Sequence, residues 1–199
     1  MLTADRREAL QEIANIGMGQ AGATIAEALN HFVLLSIPRV KQLKSEELPV
    51  ALRQAIGSDT VTAVRESFHG GLRGEAIVIY GAEHCSDLAE LMGHAGEVDR
   101  EIEREVLLKV SSLLASAFLG GIAQQLRIDI AFSTPALLAS AAPLQSLCDD
   151  ADLRWKSALL VEVNFRLETR SFACHVVALM PDSESSALAA VLDSFLENL

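Results

Sequence analysis

The apolar positions of the first thirty residues recur at helical spacing. In EALQEIANIGMGQAGATIAEALN the stripe Leu10, Ile13, Gly17, Ala21, Thr24, Ala28 and Phe32 predicts a long helix from about Asp5 to Asn30. β-rich residues follow from Val33 to Val40, and SEELPVALRQAI predicts a short helix. TVTAVRESF and EAIVIYG then alternate as strands, joined around His69, Gly70 and Gly71. Residues Cys85 to Met92 have a helical pattern. The same order returns further on: a long helix from about Asp99 to Leu126 and a strand from Ile128 to about Leu137. A second hairpin joins SALLVEVNFRL to FACHVVALM around Glu168 and Thr169. An amphipathic helix from Ser185 to Leu196 closes the series, with N-cap candidates in Asp182, Ser183 and Glu184.

The return of one element order is a duplication. Shifting the chain by 97 residues aligns Leu10 with Leu107, Ile25 with Ile122, Leu29 with Leu126, Pro38 with Pro135, Phe68 with Phe165 and Arg73 with Arg170. Identity is low, but the matches fall on like elements. The join, GHAGEVDRE, is short, so residues 1–199 form one domain of two pseudo-repeats, 1–97 and 98–199. Hairpins in place of single crossovers predict an α+β fold. Two long helices pack beside a shared, largely antiparallel sheet of about six strands.

Composition narrows the class. The chain is 50% hydrophobic but only 5% aromatic, so the core is built from Leu, Ile, Val and Ala. A net charge of −11 argues against nucleic acid, which needs clustered Lys and Arg. Cys85, Cys148 and Cys174 are odd in number and form no C-x-x-C, which predicts buried thiols in a reducing, cytoplasmic setting. The opening MLTADRREALQE has no apolar core. Val110 to Leu126 is uncharged but short for a bilayer span of about 20 residues, and predicts a helix buried in the protein. His31, His69, His84, His94 and His175 show no ligand spacing, so no metal site is expected.

The first helix also carries a polar set. Glu8, Glu12 and Asn15 share one stripe, because residues three and four apart are neighbours on a helix surface. The stripe continues through Gly19, Gly22 and Ala26, where a partner's backbone could approach closely. Pro38 lies 23 positions beyond Asn15. The duplication provides an internal control: the counterparts of Glu8, Glu12, Asn15 and Pro38 are Glu105, Lys109, Ser112 and Pro135. The prolines match, so that position belongs to the scaffold, whereas the acid–amide pair exists in the first half alone. As solvated helix-surface residues, Glu12 and Asn15 would carry no meaning by themselves. Gly17, Gly19 and Gly22 have a second reading, close packing of the two long helices. Ser36 and Ser133 have no nearby base to activate them.

These residues resemble the motif of the CheC/CheX/FliY family of chemotaxis phosphatases. That motif is an Asp or Ser, three residues, a Glu, two residues, an Asn, twenty-two residues and a Pro. Here Glu12-x-x-Asn15 and Pro38 keep the spacing, in the context EIANIGMGQA, and Glu8 replaces the usual first residue. The resemblance extends over nearly the whole chain through the duplication, with one intact motif, as in CheX-like members. It implies hydrolysis of the acyl phosphate on a CheY-like response regulator. Asn15 would hold the attacking water and Glu12 would pair with a receiver lysine. Glu8 and Pro38 would support them, with Gly19 and Gly22 at the docking face. Glu105, Lys109, Ser112 and Pro135 would be a degenerate second site. No cofactor is implied on this chain, since the Mg2+ belongs to the receiver. The rival reading is a binding module without catalysis, which sequesters a regulator or binds a CheD-like deamidase. A homodimer formed through a sheet edge or helix is compatible with either reading.

Overall fold

The computed structural model describes residues 2–81, 88, 99–148, 157–167 and 173–197. The expected helix Cys85–Met92, the turn at Glu168 and Thr169, the inter-repeat join and the surroundings of Cys85 and Cys148 lie outside these residues.

Helix α1 runs Ala4–Leu29 and helix α3 runs Arg100–Leu126, within a residue or two of the sequence expectation. Thr3 caps α1 by accepting from the Arg6 amide, and Asp99 caps α3 by accepting from the amides of Glu101 and Ile102. Both helices end on a left-handed residue, Asn30 and Arg127, which the 97-residue shift superposes. The buried stripe of α1 is Leu10, Ile13, Gly17, Ala21, Ile25 and Leu29. The sequence reading is corrected at its end: Thr24, Ala28 and Phe32 are exposed. A period of 3.6 residues drifts from a strict seven-residue repeat, so after two turns the stripe passes to Ile25 and Leu29.

Between the helices lie β1 (Val33–Leu35), β2 (Arg39–Lys44), α2 (Leu48–Ile56), β3 (Thr60–Gly70) and β4 (Gly74–Gly81). After α3 come β5 (Ile130–Phe132), β6 (Ala136–Pro143), α4 (Gln145–Cys148), β7 (Ser157–Leu167), β8 (Ala173–Pro181) and α5 (Ser185–Leu196). β1 and β5, and likewise β3 and β7, coincide under the shift. The eight strands form one antiparallel sheet, ordered β1–β7–β8–β4–β3–β5, with β2 also on β7 and β6 also on β3. Paired end to end, β1/β2 and β5/β6 each fill one edge position, which leaves six positions. Each half therefore lends its edge strands to the other half's hairpin.

The single strand expected over Val33–Val40 is broken at Ser36–Pro38, and that expected from Ile128 is broken at Ser133–Pro135. Each proline sits just before the resuming strand, where its missing N–H costs no ladder bond. One extra residue is accommodated at each break: Leu35 faces Phe165 but Arg39 faces Glu162, and Phe132 faces Phe68 but Ala136 faces Arg65. The serines stitch the breaks. Ser36 donates its amide to Asn164 O at 3.0 Å, and its Oγ accepts from the Asn164 amide at 2.9 Å. Ser133 does the same with Ser67, at 2.9 and 3.0 Å.

Both faces of the sheet are covered. On β4, Ala76, Val78 and Tyr80 turn toward α1, α3 and α5, while Ile77 and Ile79 turn toward α2 and α4. This explains why the central strands are apolar throughout rather than alternating. The long helices cross where Gly17 meets Gly121. A Cβ built on Gly17 would lie 2.7 Å from the Gly121 carbonyl carbon. α3 is the one described helix long and apolar enough to cross a membrane, and 61% of that apolar stretch is buried in the protein. Of the N-cap candidates expected for α5, Glu184 occupies the position. Asp182–Glu184 form a short 3-10 turn, and Glu184 makes no side-chain cap. Arg6 of α1 instead ties α5 down through a two-pronged pair with Asp193, at 2.8 and 2.7 Å.

Candidate functional site

Burial selects the face that α1 presents. Leu10, Ile13, Ala14 and Gly17 point into the core, which leaves Glu8, Glu12, Asn15 and Gly19 on the outward side, all exposed. Among the described residues, no hydrogen bond or ion pair engages the side chains of Glu8, Glu12 or Asn15. Glu8 and Glu12 stand one turn apart with like charge, an arrangement that costs a helix about 0.2–0.5 kcal/mol.

Pro38 is brought to this helix by a residue that sequence reasoning missed. Gln11, beside Glu12, donates its Nε2 to the Pro38 carbonyl and accepts from the Val40 amide at 3.2 Å. One amide side chain thereby satisfies both backbone groups at the resumption of the edge strand. Pro38 itself is buried beneath the segment. No sequence signal marked Gln11, because glutamine is common on helix surfaces and its partners are backbone atoms nearly thirty residues away.

The two expected docking glycines differ. Gly19 is open, with no atom within 4 Å of a Cβ built there. Gly22 is covered by β1: its Cβ would lie 2.8 Å from Leu35 Cδ1. Gly19 therefore belongs to the free face, and Gly22 to the seat of the edge strand.

The second copy is arranged differently. Glu105 and Lys109 form an ion pair across one turn of α3. Ser112, at the position of Asn15, donates to Glu66 of β3 at 3.1 Å. Pro135 keeps the strand break, but Leu108 stands where Gln11 stands, so the glutamine clamp is absent from this copy. Glu66 is buried, its Oε2 has no hydrogen-bond partner, and burial pushes its carboxyl above the usual carboxylate range despite the Ser112 bond. The polar groups of this copy are thus engaged within the protein, whereas those of the first copy are not.

An open groove of about 590 Å3 lies between the end of α3 and α5, lined by Gln125, Arg127, Val191 and Phe195 among others, and no motif residue lines it. Among the described residues no three His, Cys, Asp or Glu side chains gather into a metal-binding group. The thiol of Cys174 is buried, and burial pushes it well above its ordinary range.

No protein-family model matches the sequence, and no curated protein is similar to it in sequence. Solved structures do match. Thermotoga maritima FliY superposes over 100% of both chains with a TM-score of 0.71 at 18% identity. A chain of the FliM–SpeE complex from H. pylori matches over 100% of both chains, with a TM-score of 0.67 at 9% identity. A chain of the CheX–CheY–BeF3–Mg2+ complex from Borrelia burgdorferi covers 82% of this chain and 96% of its own, with a TM-score of 0.51 at 13% identity. The chain has the CheC/CheX/FliY fold. FliY, the FliM middle domain and the chemotaxis protein CheX share it. A shared fold does not fix what an individual chain does; the side chains it displays do.

Proposed function

We propose that this chain is a protein-aspartate phosphatase of a phosphorylated CheY-like response regulator, acting through the exposed face of α1. The observation that carries this reading is the contrast between the two copies. Glu8, Glu12 and Asn15 are exposed and unengaged, while Glu105 pairs with Lys109 and Ser112 with Glu66. A like-charged pair with an adjacent amide, all exposed on one helix face, suits a macromolecular partner better than a small molecule held in a pocket.

The chemistry asked of such a face is modest. Hydrolysis of an acyl phosphate needs a water placed in line with the phosphorus and opposite the leaving carboxylate. The Asn15 carboxamide accepts one hydrogen bond from that water and donates another to a phosphoryl oxygen. Water then forms the new P–O bond, the bond to the aspartate carboxylate breaks, and phosphate leaves. Glu12 pairs with a lysine of the receiver and sets the register, and Glu8 adds charge one turn away. The receiver supplies the Mg2+. The Gln11 clamp on Pro38 holds the neighbouring edge segment in place.

Decay of a phosphorylated receiver tests the reading. Wild-type protein should accelerate it, and Asn15→Ala should lower that acceleration about 100-fold, the scale of losing a positioning contact. Lys109→Ala, the matching turn of the second copy, should leave it unchanged. The second reading is a binding module for a receiver or a CheD-like deamidase, and the FliM-like folds support it. Receiver binding with decay at the spontaneous rate, for wild type and Asn15→Ala alike, would establish that reading and remove the enzymatic one.

A further inference from the structure

The described residues leave few large apolar side chains in solvent, and they are not scattered. Ile16 is 40% exposed, Phe32 64%, Leu34 44% and Ile37 74%, all on α1 or the edge segment beside it, with only Val50 and Leu196 exposed elsewhere. Apolar groups concentrated in this way mark a surface that a partner covers.

Two contacts locate Ile37. Leu35 lies over Gly22, and Pro38 is bonded to Gln11, so between them the edge segment travels back along α1 from Gly22 to Gln11. Ile37 therefore lies beside the turns of α1 that carry Asn15, Ile16 and the open Gly19. Val33 and Leu35 pack toward the helices, so Leu34, between them on the strand, faces the other side of the sheet edge. Ile16 and Ile37 are thus the two apolar side chains that border the motif face.

The duplication again supplies a control. The counterparts of Phe32, Leu34 and Ile37 are Asp129, Ala131 and Thr134, and Leu113, the counterpart of Ile16, is half-buried. The exposed apolar side chains accompany the copy whose acid and amide are free, and are missing from the copy whose polar groups are paired internally.

We propose that Ile16 and Ile37 are the apolar anchors by which this face docks a folded receiver domain, on either side of the bare backbone at Gly19. The proposal rests on the phosphatase reading and adds to it the side chains that fix affinity. Charge selects a receiver over a second copy of this chain. The face carries Glu8 and Glu12 on a protein of net charge −11, so two copies would bring unpaired acids together. A receiver that presents a basic group beside an apolar patch complements it.

The test is steady-state dephosphorylation of a phosphorylated CheY-like receiver by the full chain. The double variant Ile16→Ser, Ile37→Ser should raise KM about tenfold or more with kcat within about twofold, since truncated anchors weaken docking without touching the reacting atoms. Thr134→Ile, which places the same side chain in the second copy, should leave KM unchanged. Thermal melts verify that each variant folds. An unchanged KM in the double variant, with wild type active, overturns the docking proposal and leaves the phosphatase reading standing. A wild type that never accelerates decay removes the phosphatase reading and this proposal with it. A wild-type dimer in sedimentation that the double variant dissolves would make the face a self-interface and would also overturn the proposal.

Discussion

Gln11 and Glu66 carry much of the difference between the two copies, and both are polar side chains at partly or fully buried positions. Gln11 closes two backbone groups at the Pro38 break, a role with a net value of about 1 kcal/mol for each bond. Glu66 is a carboxyl held below the surface by one hydroxyl, with its second oxygen lacking a hydrogen-bond partner. Burial raises its pKa, so the folded state holds this proton more tightly than the unfolded chain does. The resulting stability is fully present below the unfolded carboxyl pKa, about 4.3, and is lost as pH rises through the folded value. Glu66→Gln mimics the protonated form. Its stability advantage over wild type should be absent near pH 4 and should grow toward pH 8 in urea unfolding at fixed pH. A constant difference over that range would contradict the assigned cause. Neither residue stood out in the sequence, since nothing local to QEI or to RES announces a partner far along the chain.

At the scale of elements, the glycines of α1 separate into three jobs. Gly17 makes the helix crossing, Gly22 seats Leu35, and Gly19 faces solvent. Alanine at Gly17 would force its methyl against the Gly121 and Ile122 backbone, so Gly17→Ala should cost about 1–3 kcal/mol as overpacking. Alanine at Gly19 meets nothing and gains helix propensity, so Gly19→Ala should raise stability by up to about 1 kcal/mol. Opposite shifts of the urea midpoint check the pair, and two shifts of the same sign would mean that the crossing is misassigned. The helix spans, the hairpin strand β7 and the apolar central strands were legible because they follow from period and from turn residues. The strand breaks were not, because Ser-x-Pro signals an interruption only once the facing strand is known. The same limit hid the end of the α1 stripe, where Phe32 is apolar yet outside the core.

At the scale of the molecule, the halves exchange their edges: β1 and β2 pair only with β7 among the described strands, and β5 and β6 only with β3. We therefore expect the fragments 1–97 and 98–199 to lack a cooperative melt when separate, because each leaves its edge strands without partners and the β4–β8 seam open. A monomeric fragment with its own sharp transition would overturn this. By itself the sequence determined the element order, the duplication, the antiparallel class and the positions of Glu12, Asn15 and Pro38, because periodicity and spacing are local or strictly repeated. Only the tertiary structure decided which polar residues are free. Pairing of Ser112 with Glu66 and of Gln11 with Pro38 depends on distances across the fold, as does the exposure of Ile16 and Ile37 beside the open face of α1.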